Sequence, residues 1–326
     1  MNRATGLLII EVCNSNPNGN PDQENEPRLF PDGRGFISPV SFKRKLRDLV
    51  ELKAGDVWKD ISSEFGLRDE EFDILESRGR KRNEIDNMGI PEFLKRYWDA
   101  RVFGCTFLEK KKEDEDDEGE SESGEPDKKS RKAKKSAQDP EPLKKEEKIR
   151  TGVVQFGLGV SVCPVEVERS TYTSKSGVQE GKDRGMAPLA YRIVRHGVYV
   201  MPYFVNPTAA KKTECTDRDI EVMKKLIPRA YSDNPSMLRS DVRIRHAWHM
   251  EHKSPLGSCP DHLLIEAMTP RRNGASGTPS PGTTPVDGPS NSWQNYLAPQ
   301  KQDLPKDLAD RVVMEDLIAQ WRTASA

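Results

Sequence analysis

The sequence predicts an α+β protein with a ferredoxin-like core, because strands and helices follow one another in the order β-α-β-β-α-β, the split βαβ plan. A nearly unbroken apolar segment at residues 6–13 predicts a buried first strand. Two amphipathic helices, capped by Ser38 and Thr216, separate the predicted strands. Many unrelated proteins share this fold, so the fold class alone indicates no function.

The first helix is predicted over residues 39–53, with Ser38 as its N-cap and Pro39 at its first position. At about 100° per residue, its apolar side chains fall together and are expected to face the core: Phe42, Leu46, Leu49 and Val50. Its cations fall on the opposite side, with one on the flank: Lys43, Arg44 and Arg47 opposite, and Lys45 between the two sides.

The start of this helix predicts an anion site. A polar loop rich in Gly, Pro and Asn leads from the first strand into it, and the free N–H groups of a helix N-terminus attract negative charge. The nearby cations would strengthen that attraction. The arrangement is suited to holding phosphates rather than to covalent chemistry. The alternative interpretation is that these cations form an ordinary solvated helix face.

A mostly helical stretch is predicted from about residue 56 to 105. After it, alternation at residues 153–162 predicts a half-buried strand, whose other face is nearly bare and carries Gln155. The apolar positions expected to face the core of this strand are Phe156, Leu158, Val160 and Val162.

A third strand is predicted at residues 195–205. The next helix has Thr216 as its cap and Asp219 three residues on. The strand Val242–His252 alternates, and its predicted core-facing residues are Val242, Ile244, Trp248 and Met250. Helical spacing between Leu304 and Trp321 predicts a C-terminal helix.

Composition limits the classes of protein. Hydrophobic residues make up 34% of the 326, which predicts that part of the chain is unpacked. Residues 109–148 contain almost no apolar side chains and predict a disordered, charged insertion, and residues 273–291 predict a flexible tether. The formal net charge of −1 does not exclude a nucleic-acid partner, because phosphate binding depends on local clustering of cations.

Five scattered cysteines without a CxxC pair indicate reduced thiols rather than a zinc site or a disulfide framework. The N-terminal residues lack the apolar core of a signal peptide, and no apolar run approaches membrane-spanning length. The expectation is a cytoplasmic protein without membrane contact, metal or cofactor.

The loop and first helix resemble a known family in their order of motifs: Asn18-Gly19-Asn20-Pro21-Asp22, Asn25-Glu26-Pro27-Arg28 and Phe42-Lys43-Arg44-Lys45-Leu46-Arg47. Weaker segments at 97–104, 150–156, 196–200, 251–253 and 260–264 agree in order. The pattern is similar to the backbone subunit of CRISPR type I effector (Cascade) complexes, within the RAMP superfamily, and most similar to the type I-C branch. Asn20 departs from it, since relatives usually carry Asp there.

The resemblance implies an RRM-like palm with a helical finger insertion and a thumb hairpin. The implied division is 1–55 first half of the palm, 56–108 fingers, 109–148 charged insertion, 149–162 palm strand, 163–193 thumb, 194–270 second half of the palm, 271–302 tether and 303–326 C-terminal helix.

The implied function is non-enzymatic. The subunit would bind CRISPR guide RNA together with other copies of itself and other Cascade subunits, and present the guide to target DNA in antiviral defence. The candidate RNA-binding residues are Asn18, Gly19, Arg28, Lys43, Arg44, Lys45, Arg47, Gln155, Arg169 and Arg184. Reversal of Lys43, Arg44 and Arg47 to Glu is expected to abolish assembly on guide RNA without unfolding the monomer.

The sequence leaves two alternatives open. Type III relatives carry a catalytic Asp in the loop after the first strand, so Asp22 could belong to a metal-dependent endoribonuclease. A lone Asp has little with which to position a metal, and Asp22 is expected instead to form an Asx turn. His246, His249 and His252 alternate along one strand and are not expected to converge on a metal. The second alternative is a general ferredoxin-like scaffold.

Overall fold

The computed structural model describes residues 1–79, 85, 88–106, 149–174, 187–273 and 288–324. The predicted charged insertion at 109–148 lies outside the described residues, as do the predicted site residue Arg184 and most of the predicted tether. The described part of the chain is an α+β structure built on one large antiparallel sheet, which confirms the α+β part of the predicted fold class.

The strands in chain order are β1 (Ala4–Ser15), β2 (Gly19–Asn20), β3 (Glu26–Pro27), β4 (Arg34–Ile37), β5 (Gly104–Thr106), β6 (Ile149–Thr151), β7 (Val154–Phe156), β8 (Gly159–Pro164), β9 (Val167–Ser174), β10 (Ala187–Val205), β11 (Val242–His252), β12 (Arg271–Arg272), β13 (Tyr296–Leu297) and β14 (Val312–Asp316). In the main sheet the order is β14-β11-β1-β10-β8-β4, and β7 and β9 also pair with β10.

The helices are α1 (Pro39–Glu51), α2 (Asp56–Phe65), α3 (Ile90–Arg96), α4 (Trp98–Phe103), α5 (Pro207–Thr213), α6 (Asp217–Leu226), α7 (Asp261–Met268), α8 (Lys306–Ala309) and α9 (Leu317–Ala324). Short 3-10 turns lie at Pro21–Gln23, Asp69–Glu71, Ile227–Arg229, Trp293–Asn295 and Lys301–Asp303. Within the described ranges, no helix has the length and apolar character needed to cross a membrane.

Strand β1 lies at the centre of the sheet, between β10 and β11, and is buried as predicted. Its side chains alternate between two separate hydrophobic cores, because successive residues of a strand point to opposite faces. Leu8 and Ile10 belong to the core under α1, α2, α4 and α6, whereas Leu7 and Ile9 belong to the core under α7 and the C-terminal segment. The sheet is therefore covered on both faces.

A β-bulge in β11 changes which residues face which core. Ile9 pairs with His246 and Ile10 pairs with Ile244, so Arg245 is the extra residue. A bulge inserts one residue and reverses the facing of everything after it. Val242 and Ile244, before the bulge, therefore pack in the first core, while Trp248 and Met250, after it, pack in the second. The prediction that all four residues share one face is wrong.

The strand predicted at 153–162 is interrupted at Gly157 and Leu158, where the Gly157 N–H donates to the Pro202 carbonyl at 2.8 Å. The two pieces are β7 and β8, and the buried positions change between them. Leu158, predicted to face the core, is 43% exposed. The buried residues of β8 are instead Gly159, Ser161 and Cys163.

The continuous C-terminal helix predicted between Leu304 and Trp321 is wrong, because a strand divides it into two short helices. Residues 312–316 form β14, which pairs with β11 at the edge of the sheet, and only α8 and α9 are helical there. Val312 and Met314 are buried and Val313 is 65% exposed, a period of two that the helical spacing concealed. In the segment 271–302, for which the resemblance implies a tether, Tyr296 is buried in the second core.

Candidate nucleic-acid interface

The N-terminus of α1 is capped as the sequence predicts. The Ser38 Oγ accepts a hydrogen bond from the Ser41 N–H at 3.2 Å, and Pro39 occupies the first helical position. The N–H of the same cap residue, Ser38, donates to the Asn18 Oδ1 at 2.7 Å. The loop that follows β1 is thus attached by a side chain to the start of the basic helix.

The loop has a defined shape set by short-range hydrogen bonds. The Arg28 N–H donates to the Asn18 carbonyl at 3.2 Å, and β2 pairs with β3 between Gly19 and Pro27. A Cβ on Gly19 would lie 3.0 Å from the Asn25 carbonyl oxygen, so a larger residue would require Asn25 to shift. Arg28 also presents a buried Nε that has no hydrogen-bond partner in the described part of the chain.

Asp22 is exposed and does not form the Asx turn predicted for it. The turn is made by Asn20, whose Oδ1 accepts the Asp22 N–H at 3.4 Å and caps the 3-10 turn Pro21–Gln23. Glu24 and Asn25 follow with φ of 47° and 59°, in the left-handed region that reverses the chain.

The segment in which the resemblance implies a thumb hairpin includes two described antiparallel strands, called here the β9–β10 hairpin. β9 and β10 pair from Val167 with Val194 to Ser174 with Ala187. Ion pairs join the base of this hairpin to the loop, because Arg169 binds Glu26 at 2.6 Å and Arg192 binds Glu24 at 2.6 Å. The loop, the start of α1 and the hairpin base therefore form one continuous region.

The cations of α1 divide into two kinds. Arg44 is engaged by two carboxylates, those of Asp48 and Glu51, each at 2.5 Å. Lys43 has no carboxylate partner among the residues that the structure describes, and its ammonium lies 5.8 Å from the centre of the Phe103 ring. Burial lowers the pKa of Lys43, and the charge of Arg47 lowers it further.

The prediction that Arg47 lies opposite the core is wrong, since its side chain is buried and its Nε donates to the Asp99 Oδ2 at 2.8 Å. Lys45, predicted on the flank, is also buried. The reason is that segments far along the chain cover this side of the helix: Phe103 of α4 lies 5.4 Å from the Arg47 guanidinium, and Asn234 donates to the Lys45 carbonyl at 3.3 Å.

Gln155 lies apart from this region. It is exposed on β7, where its amide donates to the Gly152 carbonyl at 3.1 Å. Phe204 of β10 pairs with Gln155, whereas Arg192 of the same strand pairs with Arg169. At about 3.3 Å per residue these two points are roughly 40 Å apart along the strand.

Metal-ligating residues come together elsewhere. In the described residues, one group of three possible ligands exists, formed by Glu11, Cys13 and His196. Arg245 already binds the Glu11 carboxylate at 2.5 Å and His196 Nε2 lies 3.2 Å from it, so the charge of Glu11 is compensated by protein groups. Burial raises the pKa of the Cys13 thiol to about 11, which disfavours the thiolate that a metal requires.

The three histidines of β11 each have a different partner: Asp316 for His246, Tyr203 for His249 and Asp261 for His252.

Comparison with known proteins gives one consistent family. The family model described as CRISPR-associated protein Cas7 matches residues 2–283. A curated protein of Haloferax volcanii, described as CRISPR-associated protein Cas7, is 26% identical over 239 residues, which are 71% of this chain and 64% of that protein. The chain therefore spans less than two thirds of the length of that relative.

Two solved structures contain similar chains. One is described as a CRISPR RNA-guided surveillance complex, pre-nicking, and its chain is 13% identical with a TM-score of 0.44, covering 77% of this chain and 78% of that chain. The other is described as a CRISPR RNA-guided surveillance complex, at 14% identity and a TM-score of 0.36, covering 83% of this chain and 78% of that chain.

Proposed function

The chain belongs to the CRISPR-associated Cas7 family, and from that membership we propose that it is a non-catalytic backbone subunit of a type I effector complex. It binds CRISPR guide RNA in the cytoplasm, assembles along it with other copies of itself and other subunits of the complex, and presents the guide for pairing with target DNA. Such a protein recognises phosphate charge and shape, while base pairing supplies sequence specificity.

The observation that carries the proposal is the pair Lys43 and Lys45 on α1. Neither ammonium has a carboxylate partner in the described ranges, although Lys45 is buried and Lys43 is half-buried. Cations that are removed from water without a protein anion are favourable sites for a ligand phosphate. The helix N-terminus beside them, held by Ser38 and Asn18, adds its own attraction for anions.

The proposed path of the RNA depends on which surfaces of the sheet are not covered by other elements. RRM-type proteins stack bases on a free sheet face, but here α7 and the C-terminal segment cover the face opposite α1. We therefore assign the guide to the edge formed by the loop, α1 and the base of the β9–β10 hairpin.

The strand order supports a ferredoxin-like palm within the larger sheet. Taken in sheet order, β11, β1, β10 and then β7 or β8 are all antiparallel to their neighbours, as in the split βαβ plan. In this assignment the β9–β10 hairpin is the thumb and the helices between 56 and 108 are the fingers.

A nuclease role for Asp22 has no structural support in the described part of the chain. Asp22 is exposed and is not a member of the group of possible metal ligands. Incubation of the purified protein and its bound RNA with guide-complementary RNA and Mg²⁺ separates the two functions. We expect no cleavage, and cuts at regular intervals that disappear in Asp22→Ala would contradict the non-catalytic assignment.

The proposal is tested by purifying the tagged protein from cells that express its CRISPR array. Wild-type protein should carry a small RNA of uniform length and elute as an oligomer. Lys43→Gln/Lys45→Gln should lose the RNA and the oligomer, whereas Lys211→Gln/Lys212→Gln, which removes two exposed charges on α5, should keep both. Protein without RNA of defined length would favour the scaffold alternative.

A further inference from the structure

Arg239, which the sequence pattern did not single out, shares an uncompensated environment with Lys45. The Arg239 Nε is buried and has no hydrogen-bond partner, and no ion pair engages its guanidinium in the part of the chain that the structure describes. Lys45 is 8% exposed and equally without a carboxylate partner. Burial lowers the pKa of the Lys45 ammonium, and the charge of the neighbouring Arg239 lowers it further.

On α1, the carboxylate of Asp48 attracts the Lys45 ammonium electrostatically, but this carboxylate is already paired with Arg44 at 2.5 Å. Beside Arg239 lies Tyr231, which is 5% exposed and whose hydroxyl also has no hydrogen-bond partner among the described residues. Buried donors without acceptors are uncommon in folded proteins, because each lost hydrogen bond costs free energy. Two such donors beside the Lys45 ammonium indicate that an acceptor comes from outside the chain.

The backbone holds these groups in a fixed relation to the predicted site. Asn234 donates from its side chain to the Lys45 carbonyl at 3.3 Å and to the Ala230 carbonyl at 3.0 Å. The Asn16 N–H donates to the Leu238 carbonyl, 2.5 Å away. The segment that carries Tyr231 and Arg239 is therefore attached both to α1 and to the start of the loop after β1.

We propose that Lys45 and Arg239 form a phosphate-binding clamp, and that this clamp holds one backbone phosphate of the bound RNA. The inference rests on the proposed function for the identity of the ligand, but not for its chemistry. A guanidinium and an ammonium without carboxylates select an oxyanion over a carbonyl or an amide. The contact is independent of base sequence.

The test compares Arg239→Gln with Arg218→Gln, which removes an equally positive, exposed arginine of α6. Protein freed of nucleic acid is titrated with a labelled single-stranded RNA of mixed sequence at several salt concentrations. Arg239→Gln should bind about tenfold more weakly, and its slope of log affinity against log salt should be smaller by about one. Arg218→Gln should match the wild type, and Arg239→Lys should retain part of the affinity.

Inorganic phosphate tests the clamp without RNA. At equal ionic strength, phosphate should raise the Tm of the wild type above its value in chloride, and this difference should vanish in Arg239→Gln. If the wild type binds RNA and Arg239→Gln binds it equally well, the clamp is wrong and the proposed function stands. If the wild type binds no RNA, the proposed function fails, and the Tm difference between phosphate and chloride then tests the clamp alone. Loss of this Tm difference in Arg239→Gln supports the clamp, whereas an equal Tm difference in both proteins overturns it.

Discussion

The Arg47 Nε donates a 2.8 Å hydrogen bond to the Asp99 Oδ2, and the two side chains are only 9% and 1% exposed. Asp99 also accepts the Leu75 N–H at 2.7 Å and the Glu76 N–H at 3.2 Å. This carboxylate therefore connects the basic helix to a segment before α3. One of the four cations that the sequence offers to RNA is committed to the interior, and this separates it from the lysines of the same helix that we propose as phosphate ligands.

Substitution of Arg47 tests that commitment. Arg47→Met should lower the free energy of unfolding by about 3–5 kcal/mol, because it leaves the Asp99 charge buried without its counterion. Urea denaturation measures the loss, with Arg218→Met as the exposed control. An unchanged midpoint would mean that the two backbone N–H groups suffice for Asp99. By the same reasoning Arg47→Glu should unfold the protein, so the triple charge reversal predicted to leave the monomer folded is not a clean test of RNA binding.

Lys43 should behave in the opposite way. It has no carboxylate partner within the described ranges, so Lys43→Gln leaves no buried anion behind, and its stability should change by less than about 1 kcal/mol. Affinity for single-stranded RNA should fall, with a salt slope smaller by about one. The exposed Lys59 of α2 provides the matched control, as Lys59→Gln. Equal RNA affinity in both variants would remove Lys43 from the interface.

Asn18 couples the loop to α1 through one hydrogen bond, and two substitutions separate its roles. Asn18→Ala removes the acceptor of the Ser38 N–H and should cost about 1 kcal/mol of stability and weaken RNA binding. Asn18→Asp keeps an acceptor at a helix N-terminus, where negative charge is favourable, and should retain stability. It should still weaken RNA binding, because a carboxylate repels phosphate. Tight RNA binding by Asn18→Asp would show that phosphate does not approach this position.

His249 should make stability depend on pH. Burial lowers its pKa from 6.5 to about 4, and its Nδ1 is hydrogen-bonded to the Tyr203 hydroxyl at 2.8 Å. His249 is protonated below pH 6.5 in the unfolded chain, but only below about pH 4 in the folded protein. The free energy of unfolding should therefore fall as the pH drops from 6.5 to about 4. A shift of this size corresponds to a few kcal/mol.

The measurement is urea denaturation at several pH values between 6.5 and about 4. His249→Gln should flatten the dependence in the upper part of this window, while His262→Gln, at an exposed position, should leave it unchanged. Part of the slope should persist in His249→Gln, because burial also lowers the pKa of His252. A full wild-type slope in His249→Gln would assign the effect to other groups.

Local rules allowed some of this structure to be predicted. The capping of α1 by Ser38 and the capping box of Thr216 with Asp219 depend on residues three apart, and both were predicted correctly. The buried β1 was also clear, because its apolar run is almost unbroken.

What could not be predicted depends on distant pairing. The bulge at Arg245 is set by the register of β11 against β1, and no single-strand pattern encodes it. Arg47 and Asp99 are 52 positions apart, so helical periodicity could not reveal that α4 covers one basic side of α1. Arg239 is one arginine in a polar segment, with no sequence signal that distinguishes it.

The length of β10 has a mechanical consequence. Its first residues form one arm of the hairpin, and from Val194 to Val205 the same strand pairs with β1 in the middle of the sheet. The strand is continuous from Ala187 to Val205, so the arm directly extends the part of β10 that pairs with β1. A force on the hairpin is therefore transmitted to the pairing of β10 with β1, and we expect the described part of the hairpin to move together with the sheet.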